Sequence, residues 1–170
     1  KIAESLRALF DGHFVGVGLL VRDGRVLIVA PDGAGPETFQ AGKALDPALG
    51  LVGRALGEQR LCWSSELLAD PSLYFDEERR RLISDGGHRA SLVVPLRYGA
   101  RIIGVLGLTW SEPRTFSHDE CALVQAFADQ AAVALENARL FQESERRRRQ
   151  AEALARAART LTGVRNVASV

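Results

Sequence analysis

Side-chain catalysis requires a nucleophile, a base and an orienting group, or a metal, held within hydrogen-bond reach. The residues able to supply these are scattered along this sequence. His118 falls inside Ser117-His-Asp-Glu120, the S-x-x-E spacing of a helix capping box, where it is a solvated first-turn residue. His13 opens a strand pattern, and only His88, just before a hairpin pattern, has a route into a pocket. Cys62 and Cys121 lie in apolar surroundings without a C-x-x-C spacing, which reads as two reduced core thiols. The run Arg146 to Arg149 is a solvated helix face rather than a phosphate or nucleic-acid patch. Glu143 stands one turn before Arg147 and Glu145 one turn before Arg149, so its charges are balanced. No reactive cluster emerges, so this segment is not expected to be an enzyme and no metal site is expected. The remaining chemistry is binding: an apolar, partly aromatic cavity roofed by Trp63, Leu73, Tyr74, Phe75, Leu82 and Ile83. Arg79, Ser91 or Thr109 would orient a ligand in it.

The elements that must position these residues follow from periodicity. Ile2, Leu6, Leu9 and Phe10 recur at helical spacing and stop at Asp11-Gly12. Strands over 14–21 and 25–30 flank Asp23-Gly24, a two-residue hairpin signal in which both positions want positive φ. Gly16 and Gly18 share a face of the first strand, which suggests close approach of a helix, with a ligand as the alternative. Residues 31–47 read as loop, with Phe39 a flap over the core. A helix is expected over 48–59, a strand over 60–64, and a helix over 73–85 that stops at Gly86-Gly87. Two apolar runs, 89–97 and 101–110, form an antiparallel hairpin buried on both faces, and a sheet covered on both sides needs helices.

A long helix opens at Ser117, with Phe116 and Cys121 placed as a hydrophobic staple. Val124, Phe127, Ala131, Ala134, Ala138 and Phe141 step by threes and fours, the seam of a helix that pairs with a second copy in a homodimer. The pattern lapses and resumes at Ala151, Leu154, Ala158 and Leu161, one residue out of phase. Such a break would let two packings compete.

The chain has 170 residues, 46% of them hydrophobic, enough for one core and a helical tail but hardly two domains. A net charge of +1 gives no steering toward nucleic acid. No apolar run approaches the roughly 18 to 20 residues of a membrane span, and Lys1 to Phe10 lacks the apolar core of a signal peptide. A cytoplasmic location without membrane contact by this segment is expected. The chain begins and ends inside helical patterns, as a piece of a larger protein would.

Pro95 in the first strand of the 89–110 hairpin, Gly104 and Gly107 in the second, and the following Phe116-Ser-x-Asp119-Glu120 helix start resemble the closing half of a GAF domain. Upstream, Gly50-Leu-Val-Gly-Arg-Ala-Leu-Gly57 followed by Ser65-Glu-Leu-Leu-Ala-Asp-Pro71 resembles the same pattern. The resemblance implies an α+β fold of the GAF/PAS-like kind: a central antiparallel sheet of five or six strands flanked by helices, with a long C-terminal helix. It implies a GAF domain over 1–142 and a signalling or linker helix over 143–170, leading to a covalently linked output domain. The function implied is a non-catalytic sensory domain, with small-molecule or redox/gas input, of a bacterial signal-transduction protein such as a sensor histidine kinase. The alternative is a ligand-free structural dimerisation module.

No cofactor is identified, because the signatures of the specialised branches are missing. Cyclic-nucleotide GAF domains carry an Asn-Lys pair where this chain has Trp110-Ser111, and bilin binders use a Cys-His pair that neither Cys62-Trp63 nor Cys121-Ala122 supplies. The axial histidine of haem-binding relatives sits in a different register from His88. The free methionine sulfoxide reductases have a cysteine where Val52 stands here.

Overall fold

A computed structural model describes residues 2–33 and 40–167 of the chain, with side chains from residue 3 to residue 157. Phe39, Ala158 and Leu161 therefore lie outside the described residues or side chains. The elements are α1 (Ile2–Phe10), β1 (Phe14–Leu20), β2 (Val26–Gly33), β3 (Ala44–Leu45), α2 (Gly50–Glu58), β4 (Cys62–Ser64), α3 (Glu77–Asp85), β5 (Ala90–Tyr98), β6 (Arg101–Trp110) and α4 (His118–Val167). They fall into two compact units, Lys1–Ala132 and Val133–Val170.

The first unit is built on one six-stranded sheet in the order β3-β2-β1-β6-β5-β4, with every neighbouring pair antiparallel. Its centre is the hairpin expected from the two apolar runs, and β5 is buried from Ala90 to Leu96. Both long hairpins carry a bulge, between Val17 and Gly18 opposite β2 and between Leu96 and Arg97 opposite β6. A bulge adds local twist to the strand that carries it. Leu92, Leu96, Leu106, Leu108, Val15 and Val94 are sealed from solvent on the sheet.

Several elements depart from expectation for local reasons. The Asp23-Gly24 turn is a three-residue loop: the Val21 amide donates to Arg25 O and the Gly24 amide to Val21 O, both at 2.9 Å. Only Gly24 takes positive φ (83°), as the last residue of such a loop must. The strand β2 runs three residues further than expected, through Pro31, which is tolerated because β3 pairs only with Val26 and Leu27. Residues 70–73 form a turn instead of opening α3, since Asp70 accepts from the Ser72 amide and the Leu73 amide donates to Asp70 O. The helix starts at Glu77 because Asp76 caps it, accepting from the Arg79 amide at 2.7 Å.

The capping box of α4 is formed in both directions: the Glu120 amide donates to Ser117 Oγ (3.2 Å) and the Ser117 amide to Glu120 Oε2 (2.9 Å). In the second unit, the helix is laced by Arg139 to Glu136 and Glu143, Arg147 to Glu143, and Arg148 to Glu145. Glu145 thus pairs with Arg148, one residue before the Arg149 expected from the spacing.

Candidate functional site

A cavity of about 100 Å³ lies inside the first unit. Its apolar walls come from β1 (Phe14), β2 (Ile28), α2 (Leu51, Val52), α3 (Ile83), β5 (Val93) and β6 (Val105). Phe75, from the loop before α3, packs its ring against Gly50, whose Cβ position would lie 2.8 Å from Phe75 Cζ. Glycine is needed there twice over, since its φ is +57°. The Gly50 amide also donates to Tyr74 O at 2.8 Å, which ties the first residue of α2 to the same loop. Gly16 and Gly18 border this cavity, whereas a packed helix was expected there.

The polar groups of the wall fall into two sets. His88, Ser91 and Thr109 form the first: His88 Nδ1 and Thr109 Oγ1 are 3.0 Å apart, and Ser91 Oγ donates to Leu108 O at 2.9 Å. The imidazole is 2% exposed and its ring meets those of His13 and Phe14 edge to face. Burial, with the neighbouring His13, pushes its pKa down to about 4, so at neutral pH it is an uncharged hydrogen-bonding group. The second set is Asp46 and Arg79. Together with Leu49, these two line both the cavity and an outer cleft that also contains Asp23, Arg25, Asp76 and Glu78. Burial lowers the Arg79 guanidinium from its ordinary value, opposed by Asp76, Glu78 and Asp46.

Of the candidate pocket residues, Phe75, Arg79, Ile83, Ser91 and Thr109 meet at this cavity. The other four do not. Tyr74 is 71% exposed, pointing away because Phe75 beside it takes the inward position. Trp63 is on the short strand β4, at the end of the sheet order, and packs its ring on Phe116. Leu73 is buried in the core away from the cavity wall, and Leu82, one residue from the inward Ile83, faces the outer cleft. Sequence reasoning missed Asp46, at the end of a stretch that reads as loop, and Leu49, in the first turn of the helix expected over 48–59. It gave His88 a route into a pocket but weighed it only as a haem or metal ligand.

The sequence profile of the GAF domain matches residues 1–135. The chain belongs to the GAF domain family. Solved structures share the fold of this GAF domain at low identity. A domain of a two-component sensor histidine kinase from Sinorhizobium meliloti 1021 superposes with a TM-score of 0.69 at 17% identity, covering 85% of this chain and 92% of that one. The GAF domain of a two-component sensor histidine kinase from Bacillus halodurans gives 0.68 at 20%, covering 83% and 92%. The type II free methionine-R-sulfoxide reductase from Thermoplasma acidophilum gives 0.62 at 18%, covering 76% and 84%.

In this GAF domain, burial raises the thiol pKa of both Cys62 and Cys121, which keeps them from the thiolate form that reacts. Among the described residues no cluster of His, Cys, Asp and Glu could hold a metal, and no helix is long and apolar enough to cross a membrane. A cavity of 150 Å³ holds a benzene, so one of about 100 Å³ holds roughly four carbons.

The junction between β6 and α4 is a stacked aromatic cluster. Trp110 follows the cavity residue Thr109, and its indole Nε1 donates to Phe10 O at 3.1 Å. The Arg114 guanidinium lies 4.8 Å from the Trp110 ring centroid and 5.5 Å from that of Phe116. Arg114 also pairs with Glu120 in the first turn of α4.

On α4, burial separates residues that sequence spacing had grouped. Val124 and Ala131, each 1% exposed, belong with Ala128 and Ala132 to the inward face of the first unit, where no second copy can reach them. Phe127 is half-buried, while Ala134, Ala138 and Phe141 are exposed. The large exposed apolar side chains of α4 are Leu123, Val133, Leu140, Phe141 and Leu154. In the second unit, Val133, Leu140 and Leu154 are separated by one heptad and then two, with Arg147 at the intervening position. Ala151 also falls on this heptad frame. The exposed stripe through Val133, Leu140 and Leu154 keeps one heptad register across the segment in which the expected seam changes phase.

Proposed function

We propose that this chain is the non-catalytic input module of a bacterial signal-transduction protein such as a sensor histidine kinase. In this reading residues 1–142 are the sensory domain and residues 143–170 the helix leading to a covalently linked output domain on the cytoplasmic side. A small molecule in the cavity would bias the head of α4, and two copies of the chain would pair along the exposed stripe of that helix. The observation that carries this reading is the cavity itself. It is walled by every long strand but also by α2, α3 and the loop before α3, elements that a ligand can draw together.

The junction supports a route from cavity to helix. Thr109 contacts His88 at the cavity, Trp110 and Arg114 stack beyond it, and Arg114 pairs with Glu120 of the capping box. A ligand shifts such an equilibrium only by the difference in its affinity for the two states. Mass spectrometry of small molecules retained through native purification, with sedimentation at micromolar concentration, tests the reading. A stoichiometric small molecule in a dimeric protein supports it, and a monomer overturns the pairing. The exposed stripe needs no ligand and so favours a second reading, a ligand-free dimerisation module. That reading predicts a dimer whose melting temperature no metabolite raises.

A further inference from the structure

The floor of the cavity lies where two neighbouring strands carry glycine at the same level. Gly16 of β1 stands directly opposite Gly107 of β6, and Gly107 stands opposite Val93 of β5. All three line the cavity. Two residues along each strand, on the same face, come Phe14, Thr109 and Ser91 on one side and Gly18 and Val105 on the other. Two absent side chains side by side leave a hollow in the sheet, which Leu51 and Val52 of α2 and Ile83 of α3 border from above without filling it.

The hydrogen-bonding groups of this wall are engaged within the protein. Ser91 Oγ donates to Leu108 O, and Thr109 Oγ1 and His88 Nδ1 are 3.0 Å apart. At neutral pH the charged residues of the wall are Asp46 and Arg79, and both also line the outer cleft. Asp46 is exposed, and the Arg79 guanidinium has the charges of Asp76, Glu78 and Asp46 about it. A charged guest would therefore exchange its hydration for a mostly apolar wall, which is unfavourable. Water fares little better, since a buried water needs about two to four polar partners. Wall atoms beside a void lack dispersion contacts on that side, and an apolar guest supplies them. The volume admits about four carbons. We propose that the cavity takes an uncharged apolar molecule of this size, a short branched or unsaturated hydrocarbon. This inference rests on the reading of the cavity as a sensory site.

The test compares four compounds of one trigonal shape by ¹H–¹⁵N NMR titration of the whole chain. They are 2-methylpropene, a hydrocarbon; acetone, neutral but polar; acetate, an anion; and acetamidinium, a cation. The expected result is saturable binding of 2-methylpropene, with shifts at Ile83, Val93 and Val105, about tenfold or more tighter than acetone, and no saturable shift there with either ion. Gly107→Val should abolish that binding, because the Cβ position of Gly107 has only ordinary contacts, 3.9 Å to Val93 Cγ2 and 4.0 Å to Gly16 O, on the cavity wall. Should the variant fail to fold, the four-compound comparison on the unaltered chain decides alone.

If acetone, acetate or acetamidinium binds at these residues as tightly as 2-methylpropene, the apolar inference is overturned while the sensory cavity stands. Undiminished binding of 2-methylpropene to a folded Gly107→Val would place the guest elsewhere and overturn it as well. If none of the four binds, the inference falls, and mass spectrometry of the natively purified chain then decides the sensory reading separately: a retained small molecule of another class keeps it, and none leaves the dimerisation module.

Discussion

Gly104 and Gly107 lie three residues apart in β6, on opposite faces of the sheet, and alanine at the two positions should act in opposite directions. A Cβ at Gly104 would stand 3.1 Å from Leu19 Cα and 3.2 Å from the Gly18 carbonyl carbon, with the Gly18 oxygen nearer still. These atoms are backbone of the paired strand β1, so the methyl can be accommodated only by parting β1 from β6. Overpacking of this kind costs about 1 to 3 kcal/mol. The loss of chain entropy in the unfolded state returns only about 0.4 to 1 kcal/mol.

A Cβ at Gly107 meets nothing closer than 3.9 Å and projects into the cavity wall. It gains the same unfolded-state term and about 0.8 kcal/mol for a buried methyl. The expected outcome is that Gly104→Ala loses about 2 kcal/mol and Gly107→Ala gains about 1 kcal/mol. With a urea slope near 1 to 3 kcal/mol/M, the two denaturation midpoints should differ by about 1 M or more. Urea titration followed by far-UV circular dichroism measures both. Coincident midpoints would refute the argument, since they would mean that the spacing of β1 and β6 yields to a methyl group at no cost.

Ser117→Ala should lower stability by about 1 kcal/mol, because the Glu120 amide loses its cap; an unmoved urea midpoint would exclude a structural role for that bond. Glu120 is held below the usual carboxylate range by the Ser117 amide and by Arg114, so its contribution, present above the unfolded pKa, should be lost as pH falls through its lower folded value. Glu120→Gln should show a flatter midpoint-against-pH curve in that acid window. His88 gains its proton near pH 6.5 when unfolded but only at about pH 4 in the fold, so the unfolded state binds more protons between those values and stability should fall as pH drops through that window. The full loss is about 3 kcal/mol, and His88→Gln should remove that part of the pH dependence in urea titrations from pH 7.5 to pH 4. Leu140→Glu should weaken self-association more than Ala138→Glu in sedimentation, since the exposed heptad runs through Leu140. Inserting one residue between Phe141 and Ala151 should likewise weaken association by breaking a continuous register, and an unchanged dissociation constant would place the contact elsewhere.

Local patterns were legible where one interaction determines them. The central hairpin follows from two apolar runs around Tyr98-Gly99-Ala100, and the start of α4 from Ser117 and Glu120 alone. What was not legible depended on which face of an element is covered. The helix α4 carries an inward stripe of Val124, Ala128 and Ala131 and an outward one through Val133 and Leu140, and both consist of apolar residues at heptad spacing. Periodicity ranks them equally, and only burial distinguishes them. Tyr74 and Phe75 pose the same difficulty in a loop, where no period says which ring turns inward. Asp46 escaped notice because Arg79, which lines the same cleft, is far away in sequence, and that cleft is made by folding. Trp63 was expected to roof the cavity, but the three-residue strand that carries it ends the sheet.

The aromatic cluster at the head of α4 contains every tryptophan of the protein. Trp63 and Trp110 flank Phe116, with ring centroids 5.5 and 5.0 Å from it, and Arg114 lies over Trp110. The intrinsic emission of the unlabelled chain therefore comes from one place, the hinge between the last strand and the long helix. Trp63 is 38% exposed and Trp110 is 6% exposed, so the two differ in their access to a neutral quencher such as acrylamide. A displacement of Phe116 changes the surroundings of both indoles at once, whereas a change confined to the tip of the β1–β2 hairpin leaves them untouched. Natural fluorescence thus serves as a site-specific recorder of the step by which the core addresses its helix, in this chain or in any longer protein that adds no further tryptophan.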